Sequence, residues 1–153
     1  MAEAVKTDKG EVVITCTKHL HFCAGHRVLH HEGKCAHLHG HNYKVAIIAE
    51  AAGLDPVGRV IDFSVLKDRI GKWIEENWDH KFLLWDKDIA ARTAVLMVNK
   101  PEATILLPVN PTAENLAQLL LMEIAPRQME GTGVRIIRVV VQETESCSAE
   151  ASL

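Results

Sequence analysis

The sequence predicts an α+β fold, with helices laid on one face of an antiparallel sheet. Stretches rich in β-branched residues stand at 11–22, 42–52 and 134–143. Apolar residues recur at helical spacing over 64–77 and 112–123. The chain has 153 residues, 48% hydrophobic and 24% charged. That suits one core of ordinary size, so 1–153 is expected to form a single domain that needs no disulfide or metal staple.

The elements follow in order. Residues 11–22, EVVITCTKHLHF, read as the first strand, and 42–52, NYKVAIIAEAA, as the second. The two can pair antiparallel around a long His-rich loop. A turn at 53–58 contains Gly53, Pro56 and Gly58. Asp62 or Ser64 caps a helix over 64–77, where Leu66, Ile70, Trp73 and Ile74 form an apolar stripe. A weaker helical pattern covers 87–99, and 103–109 reads as a short strand. Pro111 and Thr112 open a helix to about residue 123, burying Leu116, Leu119, Leu120 and Ile124. The last strand is 134–143, and the polar tail ESCSAEASL is expected to fray.

Composition excludes some classes of function. Seventeen Lys and Arg against twenty Asp and Glu give a net charge of −3, with no basic block for nucleic acid. No apolar run approaches the ~18 residues of a membrane helix. The start, MAEAVKTDKGEVV, lacks the apolar stretch of a leader. Cys16, Cys23, Cys35 and Cys147 have no paired spacing and read as free thiols in a reducing cytoplasm.

Eight of the nine His fall between His19 and His41. The sharpest pattern is Cys35-Ala-His37-Leu-His39-Gly-His41. Residues two apart on an extended segment point to one side, so His39 and His41 can reach one ion. Gly40 between them leaves room for a close approach. His37 and His41 would lie roughly 13 Å apart on a straight strand, too far to share an ion without a sharp bend. His26, at the end of the first strand, is the preferred third ligand, with His19 and His21 as alternatives. Three neutral imidazoles with an open fourth position make a catalytic site that favours zinc. With Cys35 as a fourth ligand the site would instead be closed and structural. His30, His31 and His37 read as ordinary surface or core residues.

Six motifs now resemble those of one family, in order. They are Phe22-x-x-x-His26-Arg27, Cys35-x-x-x-His39-Gly40-His41-Asn42-Tyr43, Val60-Ile61-Asp62-Phe63, Asp79-His80, Pro111-Thr112-Ala113-Glu114-Asn115 and Glu143-Thr144. The chain resembles the 6-pyruvoyl-tetrahydropterin and 6-carboxy-tetrahydropterin synthases. The resemblance implies a tunnelling fold (T-fold), with a four-stranded antiparallel sheet and two main helices in each subunit. The sheets join between subunits into a barrel, giving a hexamer or a tetramer. It implies zinc on His26, His39 and His41, and a small pterin triphosphate, 7,8-dihydroneopterin triphosphate, as substrate. The short Cys-x-x-x-His-Gly-His spacing looks like the 6-carboxy type. Those enzymes release acetaldehyde and triphosphate and feed queuosine biosynthesis. The alternatives are the 6-pyruvoyl reaction, or a non-catalytic pterin- or metal-binding protein.

The resemblance also suggests roles. Cys35 is the candidate general base, its thiol activated by the metal or by Lys34. Asp79 and His80 would form a proton relay for it, although the same pair is an ordinary helix C-cap. Glu143 would anchor the pterin ring by accepting adjacent N–H groups and could share relay duty. Thr112 and Glu114 would border the pterin, or simply open a helix. Charge alone suggests Arg27 or Lys44 for the triphosphate. The stretch 86–109 looks like an insertion that lines or covers the site, and the tail lacks the family's frequent aromatic residue.

Overall fold

The computed structural model describes residues 6–7 and 10–153. Residues 1–5, 8 and 9, part of the start read above as lacking a leader, lie outside it. A short hairpin pairs β1 (Lys6–Thr7) with β2 (Gly10–Glu11). The main sheet comprises β3 (Cys16–His26), β4 (His39–Ala51), β5 (Lys81–Trp85), β6 (Thr104–Leu107), β7 (Val134–Thr144) and β8 (Cys147–Ser152). Its strand order is β6-β5-β3-β4-β7-β8. Among the described residues three α-helical segments accompany it: α1 over 63–77, α2 (Ile89–Leu96) and α3 over 113–128.

The expected four-stranded antiparallel sheet is present as the run β3-β4-β7-β8. It is extended to six strands by β5 and β6, which run parallel to β3 and to each other. The sequence reading missed β5 because KFLLW lacks alternation. Leu83 and Leu84 are both fully buried, one on each face of the sheet. A strand covered on both faces shows no period of two. The tail does not fray. Its residues 147–152 pair with β7 as an edge strand, which a polar sequence can do because its outer side faces solvent.

α1 and α3 cover one face of the sheet. Leu66, Ile70 and Ile74 of α1 and Leu116, Leu120 and Ile124 of α3 close over Phe22, Tyr43, Val45, Ile47, Val139 and Val141. Thr112 caps α3 by accepting from the Asn115 N–H at 3.1 Å, and Asp62 caps α1 through the Ser64 N–H at 2.9 Å. α3 runs past the expected end at residue 123 to 128, through Pro126. A widened turn over Leu120–Ile124, bonded i to i+5, precedes the proline and absorbs its missing N–H.

The expectation of helices on a single face fails for α2. Ala91 and Val95 pack on Leu84 and Phe82, on the face opposite α1 and α3. Asp88 fastens this insertion: it caps α2 through the Ala91 N–H and takes a two-pronged ion pair from Arg27, at 2.6 and 2.5 Å. Asp88 is 2% exposed. The guess that Arg27 serves the triphosphate is therefore corrected, since its guanidinium is already spent on a buried carboxylate. Lys44 pairs with the exposed Glu145. Arg27→Ala would leave Asp88 charged and alone. We expect a loss of about 3 kcal/mol in urea unfolding, with α2 the first segment to gain amide exchange.

Candidate metal centre

β3 and β4 run antiparallel in a register that pairs His26 with His39 and Ala24 with His41. His26, His39 and His41 alternate with Gly25 and Gly40. All three imidazoles therefore emerge on the face covered by α1 and α3, where that sandwich opens at one end. A Cβ on Gly40 would lie 2.9 Å from the Ala24 carbonyl oxygen. Gly40 thus serves strand approach, not the ligand approach expected from sequence. A Cβ on Gly25 would meet the Phe82 ring at 2.5 Å.

The three rings form a nearly equilateral group, with centroids 4.6, 4.9 and 5.0 Å apart. The His26 Nδ1–H donates to the Pro111 carbonyl at 2.8 Å, and the His39 Nδ1–H donates to the His37 carbonyl at 2.6 Å. These bonds fix the tautomers and leave both Nε2 lone pairs bare. The two Nε2 atoms face each other at 3.1 Å. Two facing acceptors at that distance suit a cation between them. Tetrahedral zinc with bonds of about 2.0 Å holds its nitrogens about 3.3 Å apart. The donor set therefore fits a divalent metal on His26, His39 and His41. The carbonyls of His37 and Pro111 orient the ligands from behind.

Electrostatics agree. Burial pulls the His26 imidazole down to about 4, and the neighbouring His39 and His41 push the same way. His41 is also lowered, by burial and then by His39. Neutral imidazoles are the metal-binding form. In the unfolded chain His26 titrates near 6.5. Between these values the unfolded state binds more protons, so the metal-free protein loses stability as pH falls from 6.5 toward 4. Urea midpoints across this window check the sign. His26→Asn, whose amide can still donate to Pro111, should flatten the dependence.

Glu143 ends β7 with its Oε1 3.9 Å from His26 Nε2. Burial raises its carboxyl, as does the nearby Glu114 in the first turn of α3. The Tyr43 hydroxyl lies 3.3 Å from His26 Nδ1 and is pushed up by burial and by Glu143. The structure thus brings together His26, His39, His41, Glu143, Glu114 and the α3 cap at Thr112. The sequence gives no sign of the Pro111 and His37 carbonyls, since backbone oxygens carry no sequence signal, and it shows Tyr43 only as a motif residue with no site role. The alternatives His19 and His21 are not in this group, although they share β3.

Asp79 and His80 stand elsewhere. The chain leaves α1, and His80 adopts a left-handed φ of 57°. Its Nδ1 lies 2.8 Å from Asp79 Oδ2, and Asp79 Oδ1 accepts from the Cys23 N–H at 2.8 Å. Cys23, read from the sequence only as a free thiol, touches the His80 ring through its sulfur. Among the described residues Cys35 joins neither ligand cluster. It lies in a short turn, with its carbonyl accepting from the Val28 N–H at 2.8 Å. A cavity of about 760 Å³ is lined by His39 and His41, by Cys23 and His80, and by Val95 and Val98 of the insertion. The insertion lines this cavity on the face of the sheet opposite α1 and α3.

A curled sheet bearing two long helices on one face, with three histidines clustered at its open end, defines a T-fold chain with a candidate metal centre. The chain belongs to the 6-pyruvoyl tetrahydropterin synthase family, whose model matches residues 15–152. It is similar to the 6-carboxy-5,6,7,8-tetrahydropterin synthases of Rickettsia bellii and Rickettsia felis. The identities are 36% and 38% over 140 residues, covering 90% of this chain and 99% of each relative. The structure of Caenorhabditis elegans 6-pyruvoyl tetrahydropterin synthase superposes with a TM-score of 0.65 at 23% identity. It covers 92% of this chain and 96% of that one, and supports the fold. No described helix is long and apolar enough to cross a membrane.

Proposed function

We propose that this protein is a zinc-dependent 6-carboxy-tetrahydropterin synthase. It converts 7,8-dihydroneopterin triphosphate to 6-carboxy-5,6,7,8-tetrahydropterin with release of acetaldehyde and triphosphate, a step toward queuosine. The observation that carries the reading is the pair of bare Nε2 atoms, beside a raised carboxyl, in a chain over a third identical to proteins of that name.

When bound, zinc acts as a Lewis acid on the side-chain hydroxyls of the substrate, making the neighbouring C–H more acidic. The chain's own residues do the rest. Glu143 accepts the adjacent ring N–H groups and aligns the pterin, with Thr112 and Glu114 at its border. Cys35 removes the side-chain proton as thiolate. His80, oriented by Asp79, accepts that proton in turn.

Among the described residues of one chain Cys35 shares no ligand cluster with His80. We therefore assign the two to different subunits of a homo-oligomer. Two sheet edges support such an assembly. β5 pairs with β3 only at Ala24–His26, so the rest of that edge is bare among the described residues. The outer side of β8 is bare as well, and the exposed Val12, Val13 and Ile14 precede β3. A β8 edge can continue the sheet of a neighbour at β3, closing a barrel of three or two subunits per ring.

The test is a product assay on zinc-loaded protein with 7,8-dihydroneopterin triphosphate, followed by mass spectrometry. Acetaldehyde with a 6-carboxy pterin is expected. Triphosphate release with a 6-pyruvoyl product would reassign the chain to the sister activity. Unchanged substrate would overturn the reading in favour of a binding protein.

A further inference from the structure

We propose that residues 12–14 of one chain plug an apolar cavity of a neighbouring copy, beneath the end of α3. Val12, Val13 and Ile14 are 67, 70 and 50% exposed and belong to no strand. Single exposed apolar residues are ordinary, but three in a row mark a contact surface. The cavity has a volume of about 400 Å³. Leu121, Ala125, Met129 and Ile136 form its buried floor, and the exposed Met122 and Leu153 stand on its rim. Among the described residues its one ionisable neighbour is Arg135, which is engaged with Glu50 at 2.6 Å. Such a cavity takes apolar side chains and offers little to a charged ligand.

Strand direction brings plug and cavity together. β3 runs toward the histidines and ends at His26, whereas β8 starts beside Thr144 at that end and runs away to Ser152. When β8 pairs antiparallel with the β3 of a neighbour, the neighbour's first β3 residues come to the Ser152 end, with its residues 12–14 just beyond. There β8 stops short of β7. Its last partner is Arg138, so residues 134–136 of β7 have no strand on that side, and the cavity lies at this gap. In its own chain the segment leads into β3, which β4 and β7 separate from β8. The two edges also match in charge. Leu20 and Phe22 face the core, so His19 and His21 project from the second face of the sheet. β3 adds Lys18 and carries no acid before His26. Ala149 and Ala151 pack on the core, so Glu150 projects from that same second face, and β8 carries no base. Edge pairing thus sets Glu150 on the side of the neighbour's imidazoles. The anchor rests on the homo-oligomer proposed from the bare edges, and it names the contact that locks those edges. Each chain gives one plug and receives one, as a closed ring requires.

A disulfide trap tests the contact. Val13→Cys and Met122→Cys are made as separate variants, mixed after mild dissociation and oxidised. Both positions are exposed in the single chain, so neither change disturbs its core. The mixture is expected to yield a linked pair of chains at least tenfold above either variant alone, with wild type reporting the background of the four native thiols. Replacing Val12, Val13 and Ile14 together by Ser should raise the apparent dissociation constant of the oligomer tenfold or more in sedimentation velocity, with far-ultraviolet circular dichroism unchanged. A wild-type oligomer that the triple change leaves intact, with no link in the mixture, would overturn the plug and spare the edge assembly. Wild type that sediments as a monomer would overturn both. A link formed within one chain of the Val13→Cys, Met122→Cys double variant would give the cavity to the chain's own segment and overturn the plug as well.

Discussion

His39→Ala is expected to strip the metal from the three-histidine centre and lower turnover by about a thousandfold or more. His39 is the cleanest of the three ligands to remove. His26 also holds the Pro111 carbonyl and the Tyr43 hydroxyl, so its loss would leave buried polar groups alone. His39 is bonded only to the neighbouring His37 carbonyl and faces His26 across 3.1 Å. The variant carries a second expectation of opposite sign. Without metal, the two bare Nε2 atoms repel, so metal-free His39→Ala should melt no lower than metal-free wild type. Metal content by atomic absorption, turnover, and melting with and without chelator measure all three. Full metal occupancy and turnover in the variant would remove His39 from the site.

Cys35→Ala is expected to lower turnover by about a hundredfold to ten-thousandfold while metal content and melting stay unchanged, as for loss of a general base. His80→Ala should lose turnover as well. The decisive experiment mixes the two variants. Cys35 and His80 belong to no common cluster within a chain. A mixed oligomer would contain interfaces where an intact Cys35 of one chain meets an intact His80 of its neighbour. Mixing two nearly inactive proteins after mild dissociation should therefore restore part of the activity. No recovery from a verified mixed oligomer would place the two residues in separate roles. It would leave His80 to the local cluster with Cys23 and Asp79.

Much of the site could be read along the chain because it is built on two strands. The parity of His39 and His41 on an extended segment put both on one side, and the register of a hairpin brought His26 to face them. The apolar stripes of α1 and α3 were equally legible, since a helix packed on one face repeats its pattern every turn. Where the pattern failed, the cause was burial on both faces or on neither. Leu83 and Leu84 point into separate small cores, so β5 showed no alternation. The residues 147–152 look like a solvated tail and become an edge strand through backbone bonds to β7, which ignore side-chain polarity.

By itself, then, the sequence determined the α+β class, the two long helices, the strand pair that carries the three clustered histidines, and the family. Each depends on local period or on motifs close in the chain. Only the tertiary structure decided that α2 crosses to the second face of the sheet, because a buried ion pair between Arg27 and Asp88 spans 61 positions. Only it showed that Cys23, and not Cys35, lies against His80, because that contact forms where β3 meets the end of α1, 57 residues along the chain. The tautomers of His26 and His39 were likewise decided in three dimensions. They are set by backbone carbonyls, which every residue carries and no sequence pattern marks.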